Sequence, residues 1–392
     1  MAEARSLTIW MVSGEESGDQ LGAKLMRSLK ARFGSELLTF GGVGGHAMAR
    51  EGLVSLFPLE EIAVMGFTAV IARLPSILRR IASTADAVVA ANPDVLVIID
   101  SPDFTHRVAK RVRARAPRIP IVDYVSPSVW AWRPGRAESM RGYVDHLLAL
   151  LPFEPEVHRR LGGPPTTYVG NPLIERLDQI RPRPGERGTI GEGPFKLVVL
   201  PGSRRSEVGR LMDPFGKALG LLRQRISTPL EITIPAVSHL KQEIARAAES
   251  WPVRPVLVEG EAAKWAAFRS AHAALAASGT VTLELGLSGV PMVVAYRVSK
   301  PEEILKYLIK APSIVLTNLV LGENVIPELI QWDCTPENLA QALLPLVSDT
   351  PERRRQTEAF GRLDALMRIG SESPSERAAR AVAEVLEQAQ GR

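Results

Sequence analysis

The stretch Leu197-Val198-Val199-Leu200-Pro201-Gly202-Ser203-Arg204 decides the fold. Its short apolar run reads as a buried strand, and it breaks at Pro201-Gly202, where a helix can follow. Amides freed at such a helix start face an anion, and Arg204 is placed to pair with a phosphate. The pattern repeats downstream. His272 to Ala277 reads as a strand, Ser278-Gly279-Thr280 as a tight turn, and Val281 to Leu287 as a helix. Glu284 falls in the first two turns of that helix, where a carboxylate can accept hydrogen bonds from ribose hydroxyls. Either element alone is as well explained as an ordinary strand-to-helix loop with good caps. Both together, in one domain, point to a nucleotide site.

Outward from this stretch, strand and helix alternate throughout. The first half predicts strands at Leu7 to Val12, Leu37 to Phe40, Val95 to Ile99, Ile119 to Val125, Leu147 to Leu151 and Thr167 to Val169. Helices such as Gly18 to Phe33 and Thr105 to Ala116 separate them. The second half places strands near Leu197, Leu230, Pro255, Ala273 and Pro291, then helices at Pro336 to Val347, Pro351 to Met367 and Ser375 to Gln388. Such alternation implies parallel sheets covered on both faces. The fold class is α/β: two doubly wound Rossmann-like domains facing a cleft, with C-terminal helices. The expected division is a first domain over 1–177, a Pro-, Gly- and Arg-rich linker over 178–194, a second domain over 195–350, and helices over 351–392 that pack back on the first domain or a partner.

The 392 residues suffice for two domains with cores, and 45% hydrophobic with 23% charged residues is an ordinary soluble balance. The formal net charge of +5 fits anionic partners without choosing among them. The one cysteine, Cys334, permits no internal disulfide and suits a reducing compartment. The N-terminus lacks a signal-peptide pattern, and no apolar run approaches the roughly 18 residues of a membrane span. A cytosolic protein is expected, with contact at a membrane surface left open. No metal is expected, because the six histidines are scattered and no zinc spacing occurs. The absence of a GxxxxGK[ST] loop argues against phosphoryl transfer from ATP. No basic-aromatic motif suggests nucleic acid.

Other loops carry chemistry. Ser13-Gly14-Glu15-Glu16-Ser17-Gly18-Asp19 follows the first strand, but three carboxylates would repel a pyrophosphate. Glu15, Ser17 and Asp19 better suit a neutral sugar, or Ser17 or Asp19 simply caps the helix. Gly42 to Ala47 matches G-x-G-x-x-A weakly, after the wrong strand, and reads as a loop. Asp100 ends the apolar strand Val95 to Ile99, where a carboxylate either deprotonates an attacking hydroxyl or is merely structural. Asp103 reads as a helix cap. In Tyr124-Val125-Ser126-Pro127-Ser128-Val129-Trp130-Ala131-Trp132-Arg133, Trp130 and Trp132 suit stacking on a sugar, packing an acyl chain, or a domain interface. Met65 to Arg80 mixes Phe67, Val70, Ile71 and Leu74 with arginines, as a lipid-headgroup seat or as a buried helix with a basic face.

The loops Ser13 to Asp19, Ile99 to Phe104, Tyr124 to Arg133, Leu200 to Arg204 and Ala277 to Thr280 with Glu284, together with Pro291 to Arg297, Asn318-Leu319 and Pro327-Glu328, resemble those of the lipid-A-disaccharide synthases, in order from near residue 7 to about residue 347. The run Val125 to Trp132 is the most specific. The resemblance implies a GT-B glycosyltransferase that joins UDP-2,3-diacylglucosamine to 2,3-diacylglucosamine 1-phosphate (lipid X). The products would be UDP and a β-1,6-linked disaccharide, for lipid A biosynthesis. It implies inversion at the anomeric carbon and no dissociable metal or cofactor. It also implies a peripheral seat on the cytoplasmic face of the inner membrane; a homodimer remains open. Asp100 takes the base position. Gly202, Ser203, Arg204, Ser278, Gly279, Thr280, Glu284 and Asn318 take the nucleotide and diphosphate. Glu15, Ser17, Asp19, Ser126, Trp130 and Trp132 take the sugar and acceptor side, and Phe67, Val70, Ile71 and Leu74 the membrane. Two other readings stay open: a UDP-N-acetylglucosamine 2-epimerase, which needs neither the tryptophan loop nor the lipid-like segment, and a non-catalytic protein binding nucleotide and lipid.

Overall fold

The computed structural model describes residues 6–62, 67–298 and 311–391, with backbone alone for 67–73 and 390. The chain forms two units, residues 1–172 with 369–392, and residues 173–368.

The first unit is built on parallel strands β1 (Leu7–Ser13), β2 (Leu38–Val43), β3 (Val54–Ser55), β4 (Val95–Ile99), β5 (Ile121–Tyr124), β6 (His146–Ala149) and β7 (Thr166–Tyr168). They lie in the order β3-β2-β1-β4-β5-β6-β7. The period-two alternation of side chains sorts each strand between two cores. Val95, Val97 and Ile99 face one side, with Leu25, Met26 and Leu29 of α1 (Glu16–Phe33). Leu96 and Ile98 face the other, with Ile81, Ala85 and Val88 of α3 (Phe67–Ala91) and Val108 and Val112 of α4 (Pro102–Arg115). Burial on both faces explains the unbroken apolar runs. Short helices α2 (His46–Arg50), α5 (Gly135–Met140) and α6 (Glu154–Arg160) follow β2, β5 and β6.

The first core also takes the last helix, Pro374–Gln390, through Ala378, Ala381, Val382, Val385 and Leu386. Ser373 and Glu376 start it with a reciprocal capping box.

The second unit repeats the plan. After α7 (Leu177–Ile180) come β8 (Phe195–Leu200), α8 (Arg205–Arg225), β9 (Leu230–Ala236), α9 (Lys241–Ala248), β10 (Val256–Glu259), α10 (Glu261–Ser270), β11 (Ala273–Ala277), α11 (Val281–Leu287), β12 (Met292–Tyr296) and β13 (Glu328–Ile330). The sheet order is β10-β9-β8-β11-β12-β13, all parallel.

Two expectations need correcting. The 178–194 stretch is not a free linker, because one of its arginines, Arg187, is spent inside the second unit. Arg187 donates to the carbonyls of Gly289 (2.6 Å), Ser288 (2.9 Å), Phe268 (3.0 Å) and Arg269 (3.3 Å). Burial lowers its pKa to about 10. The C-terminal helices also divide. Pro351–Gly361 stays in the second unit, where Gln356 bridges the amide (2.8 Å) and carbonyl (3.1 Å) of Met292, and only the last helix joins the first.

Candidate active site

Each sheet reverses its winding once, between β1 and β4 and between β8 and β11. Loops leaving neighbouring strands there diverge and open a crevice at the strand carboxyl ends. Ser13 to Asp19 and Asp100 flank the first reversal. Gly202 to Arg204 and Ser278 to Glu284 flank the second.

Asp100 follows β4 directly. Its amide donates to Tyr124 O at 3.0 Å, extending the ladder by one residue. The chain then turns left-handed, with φ 54° at Asp100 and 46° at Ser101. Such backbone costs on the order of 1–3 kcal/mol per non-glycine residue and clusters at functional sites. Thr105 Oγ1 locks the turn by donating to Asp100 O (2.6 Å) and Ser101 O (3.1 Å). Asp100 Oδ1 accepts from the Ser101 amide at 2.7 Å, and Oδ2 faces Ser17 Oγ at 3.4 Å. Gly14 makes this approach possible, since a Cβ there would lie 2.4 Å from Ser101 Cβ. Asp100, Ser17 and the exposed Glu15 therefore gather on the loops of the first reversal.

Asp19 does not present its carboxylate with them. It is buried and accepts from the amides of Gly45 (2.7 Å), Ala47 (2.8 Å) and Met48 (3.1 Å), capping α2 from a distance. The weak glycine match at 42–47 thus serves this tether.

The tryptophan loop follows β5. Val125 has φ 90°, an outlier for a β-branched residue. Ser126 is buried, its hydroxyl shared between His158 Nε2 (2.8 Å) and Pro127 O (3.0 Å), so it anchors the loop rather than meeting a ligand. Trp130 packs edge-on against Phe153, and its indole N–H points at Glu154 Oε1 at 3.4 Å. Glu154 Oε2 accepts from the Leu151 amide at 2.9 Å. Burial raises the Glu154 pKa to about 7 and lowers that of His158 to about 4. Trp132 is 40% exposed, with the Arg133 guanidinium 4.2 Å over its ring. The sequence reading missed Glu154 and His158. Their four-residue spacing on a helix one strand further on was the only signal.

Below the first reversal lies another missed group. Asp123, wholly buried on β5, faces His106 Nε2 at 3.1 Å, off the line that a hydrogen bond requires. His106 Nδ1 meets Tyr143 Oη at 2.9 Å. Burial raises the Asp123 pKa, His106 opposes the shift, and Asp100 adds to it.

In the second unit, Gly202 (φ 113°) turns the chain as expected, but the amides beyond it are taken. Glu207 Oε2 accepts from Ser203 N (3.0 Å) and Arg204 N (3.2 Å), and its Oε1 from Arg204 Nη1 (3.2 Å). The expected anion seat is thus filled by the chain's own carboxylate. The Arg204 side chain remains 69% exposed. Gly279 and Thr280 form an exposed turn, and Ser278 Oγ donates to Ile314 O at 2.7 Å. Glu284 pairs with Lys264 Nζ at 2.6 Å, a cation absent from the sequence reading.

Asn318 is buried and fully used. Its amide group donates to Ile326 O (3.1 Å) and Glu328 Oε1 (2.9 Å), and its oxygen accepts from Val325 N (3.2 Å) and Ile326 N (3.1 Å). It braces the loop beside Ser278 and leaves nothing for a nucleotide, a further correction.

Of the membrane residues, the side chains of Phe67, Val70 and Ile71 lie outside the described residues. Leu74 is 43% exposed and Leu78 38%. Among the described residues, no helix is long and apolar enough to cross a membrane.

Two parallel sheets, wound 3-2-1-4-5-6-7 and 3-2-1-4-5-6, with polar loops at both reversals, define a doubly wound, Rossmann-like two-domain α/β protein. Solved structures share this fold. A putative UDP-N-acetylglucosamine 2-epimerase from Listeria monocytogenes superposes with a TM-score of 0.60 at 15% identity, over 99% of this chain and 98% of that one. The calicheamicin glycosyltransferase CalG4 does so with a TM-score of 0.57 at 17% identity, over 98% and 99%. Sequence separates the two kinds. The profile of the lipid-A-disaccharide synthetase family matches residues 9–382. The lipid-A-disaccharide synthase of Nitrobacter hamburgensis is 58% identical over 98% of this chain and 97% of its own. That of Rhodospirillum centenum is 42% identical over 97% and 95%. The chain belongs to the lipid-A-disaccharide synthase family, and its architecture is GT-B.

Proposed function

We propose that the chain transfers 2,3-diacylglucosamine from UDP to the 6-hydroxyl of 2,3-diacylglucosamine 1-phosphate, inverting the anomeric centre and releasing UDP. Family membership supports the reaction. The observation that carries the site is Asp100, held in two successive left-handed residues at the first sheet reversal. A carboxylate so fixed is pre-oriented to take the proton of the attacking hydroxyl as the new glycosidic bond forms. The Ser17 hydroxyl beside Oδ2 helps to hold that orientation. Glu15, Trp130 and Trp132 would border the sugars and their acyl chains.

The second unit takes the nucleotide. Glu284 binds the ribose, with Lys264 holding it in place. The exposed Gly279-Thr280 turn and the largely exposed Arg204 guanidinium, paired on one side with Glu207, meet the diphosphate as its charge grows. Because Glu207 occupies the amides of Ser203 and Arg204, these contribute only if that carboxylate moves.

The deciding assay is UDP release from UDP-2,3-diacylglucosamine with and without the phosphorylated acceptor in detergent micelles. Release is expected only with both, together with a lipid disaccharide. Asp100→Asn is expected to lower kcat by roughly two to four orders of magnitude with UDP affinity kept. An unchanged kcat would remove Asp100 from the base role.

A further inference from the structure

We propose that the cavity between α4 and α5 is a phosphate-monoester site, and that it holds the C1 phosphate of the acceptor; the second part rests on the reaction proposed above. The cavity measures about 470 Å³ and belongs wholly to the first unit. Four cations line it, Arg107, Lys110, Arg133 and Arg136, against one carboxylate, Asp103. Asp103 is 90% exposed and lies 3.7 Å from Arg136, so it screens the group weakly. Among the described residues Arg107 has no ionic partner, while Lys110 and Arg133 rest only on aromatic faces, 4.9 Å from Tyr143 and 4.2 Å from Trp132. Like charges gathered in one concavity repel unless an anion joins them, and guanidinium pairs suit a phosphate's several oxygens.

The back wall is fixed. Tyr143 Oη is held by His106 Nδ1 at 2.9 Å, and His106 Nε2 faces the buried Asp123 at 3.1 Å. This support keeps the cavity's shape without using its cations. Position ties the cavity to the acceptor: Pro102 and Asp103 line it, two and three residues beyond Asp100. The attacking 6-hydroxyl hangs from C5 and the phosphate from C1, the two carbons that flank the ring oxygen of one pyranose. A phosphate seated here would set the distance between ring and base.

The test compares wild type with Arg107→Gln and with Arg107→Gln/Arg136→Gln. The single variant alters an exposed side chain and guards against a folding defect in the double one. In ³¹P NMR, wild type is expected to broaden the resonance of glucosamine 1-phosphate, and the double variant not to. Equal broadening by both overturns the site. In turnover, the double variant is expected to raise the KM for the phosphorylated acceptor at least tenfold, with no change for an acceptor lacking the C1 phosphate. An equal rise for both acceptors overturns the acceptor assignment. So does loss of binding to phosphatidate vesicles with the acceptor preference intact, which would make the ligand a bilayer headgroup. Should wild type form no disaccharide at all, the reaction reading fails, and the NMR comparison still decides the site.

Discussion

At the scale of single residues, side chains read as ligands divide into those left accessible and those that are spent. Asp100, Ser17, Arg204 and Thr280 are accessible, while Asp19, Ser126 and Asn318 are consumed by neighbouring backbone and side chains. The reason is burial: a polar group without water must find partners in the protein, and these found theirs in adjacent loops. Asn318→Ala would orphan the amides of Val325 and Ile326 and strip a donor from Glu328. A loss on the order of 1–3 kcal/mol is expected, read as a lower melting point in urea or heat. Undiminished stability with lost UDP affinity would make Asn318 a ligand after all. Strain at Asp100 and Val125 was invisible in sequence, because Val almost never adopts positive φ and Asp does so at too few of its positions to mark one.

At the scale of elements, most strands and helices stood where periodicity put them. Val95–Ile99 and Val281–Leu287 match to the residue, since clean apolar runs and turn signals bound them. The edge strands Val54–Ser55 and Glu328–Ile330 were not anticipated, being too short and too polar for a pattern to form. The helix Phe67–Ala91 carries the other prediction. Leu74 and Leu78, one turn apart, are exposed beside the exposed Arg79. Apolar residues next to cations suit an anionic lipid surface. Leu74→Glu/Leu78→Glu is expected to weaken co-sedimentation with anionic vesicles severalfold at an unchanged melting temperature. Unaltered sedimentation would exclude this face as the membrane seat.

At the scale of the whole molecule, two buried groups give the stability a pH signature. The Glu154 pKa rises to about 7, so its contribution is full below 4.5 and is lost as pH climbs through 7. The His158 pKa falls to about 4, so its contribution is full above 6.5 and is lost as pH drops through 4. Between 4.5 and 6.5 the two slopes oppose each other. Glu154→Gln removes the first, so its melting temperature relative to wild type should climb steadily from pH 4.5 to 7. A constant difference across that range would show that Glu154 does not titrate there.

The sequence by itself determined that this is an α/β chain with parallel sheets, where the loops bearing Asp100, Arg204 and Glu284 fall, and which family it resembles. All three are local: a run of apolar residues, a turn and a motif are each written within a few positions. Only the tertiary structure decided that the last helix joins the first unit, that Arg187 ties the supposed linker into the second, and that Glu207 fills the anion seat beside Gly202. It also gathered Arg107, Lys110, Arg133 and Arg136 around one cavity. These outcomes depend on which distant groups become neighbours on burial, and no local pattern records that.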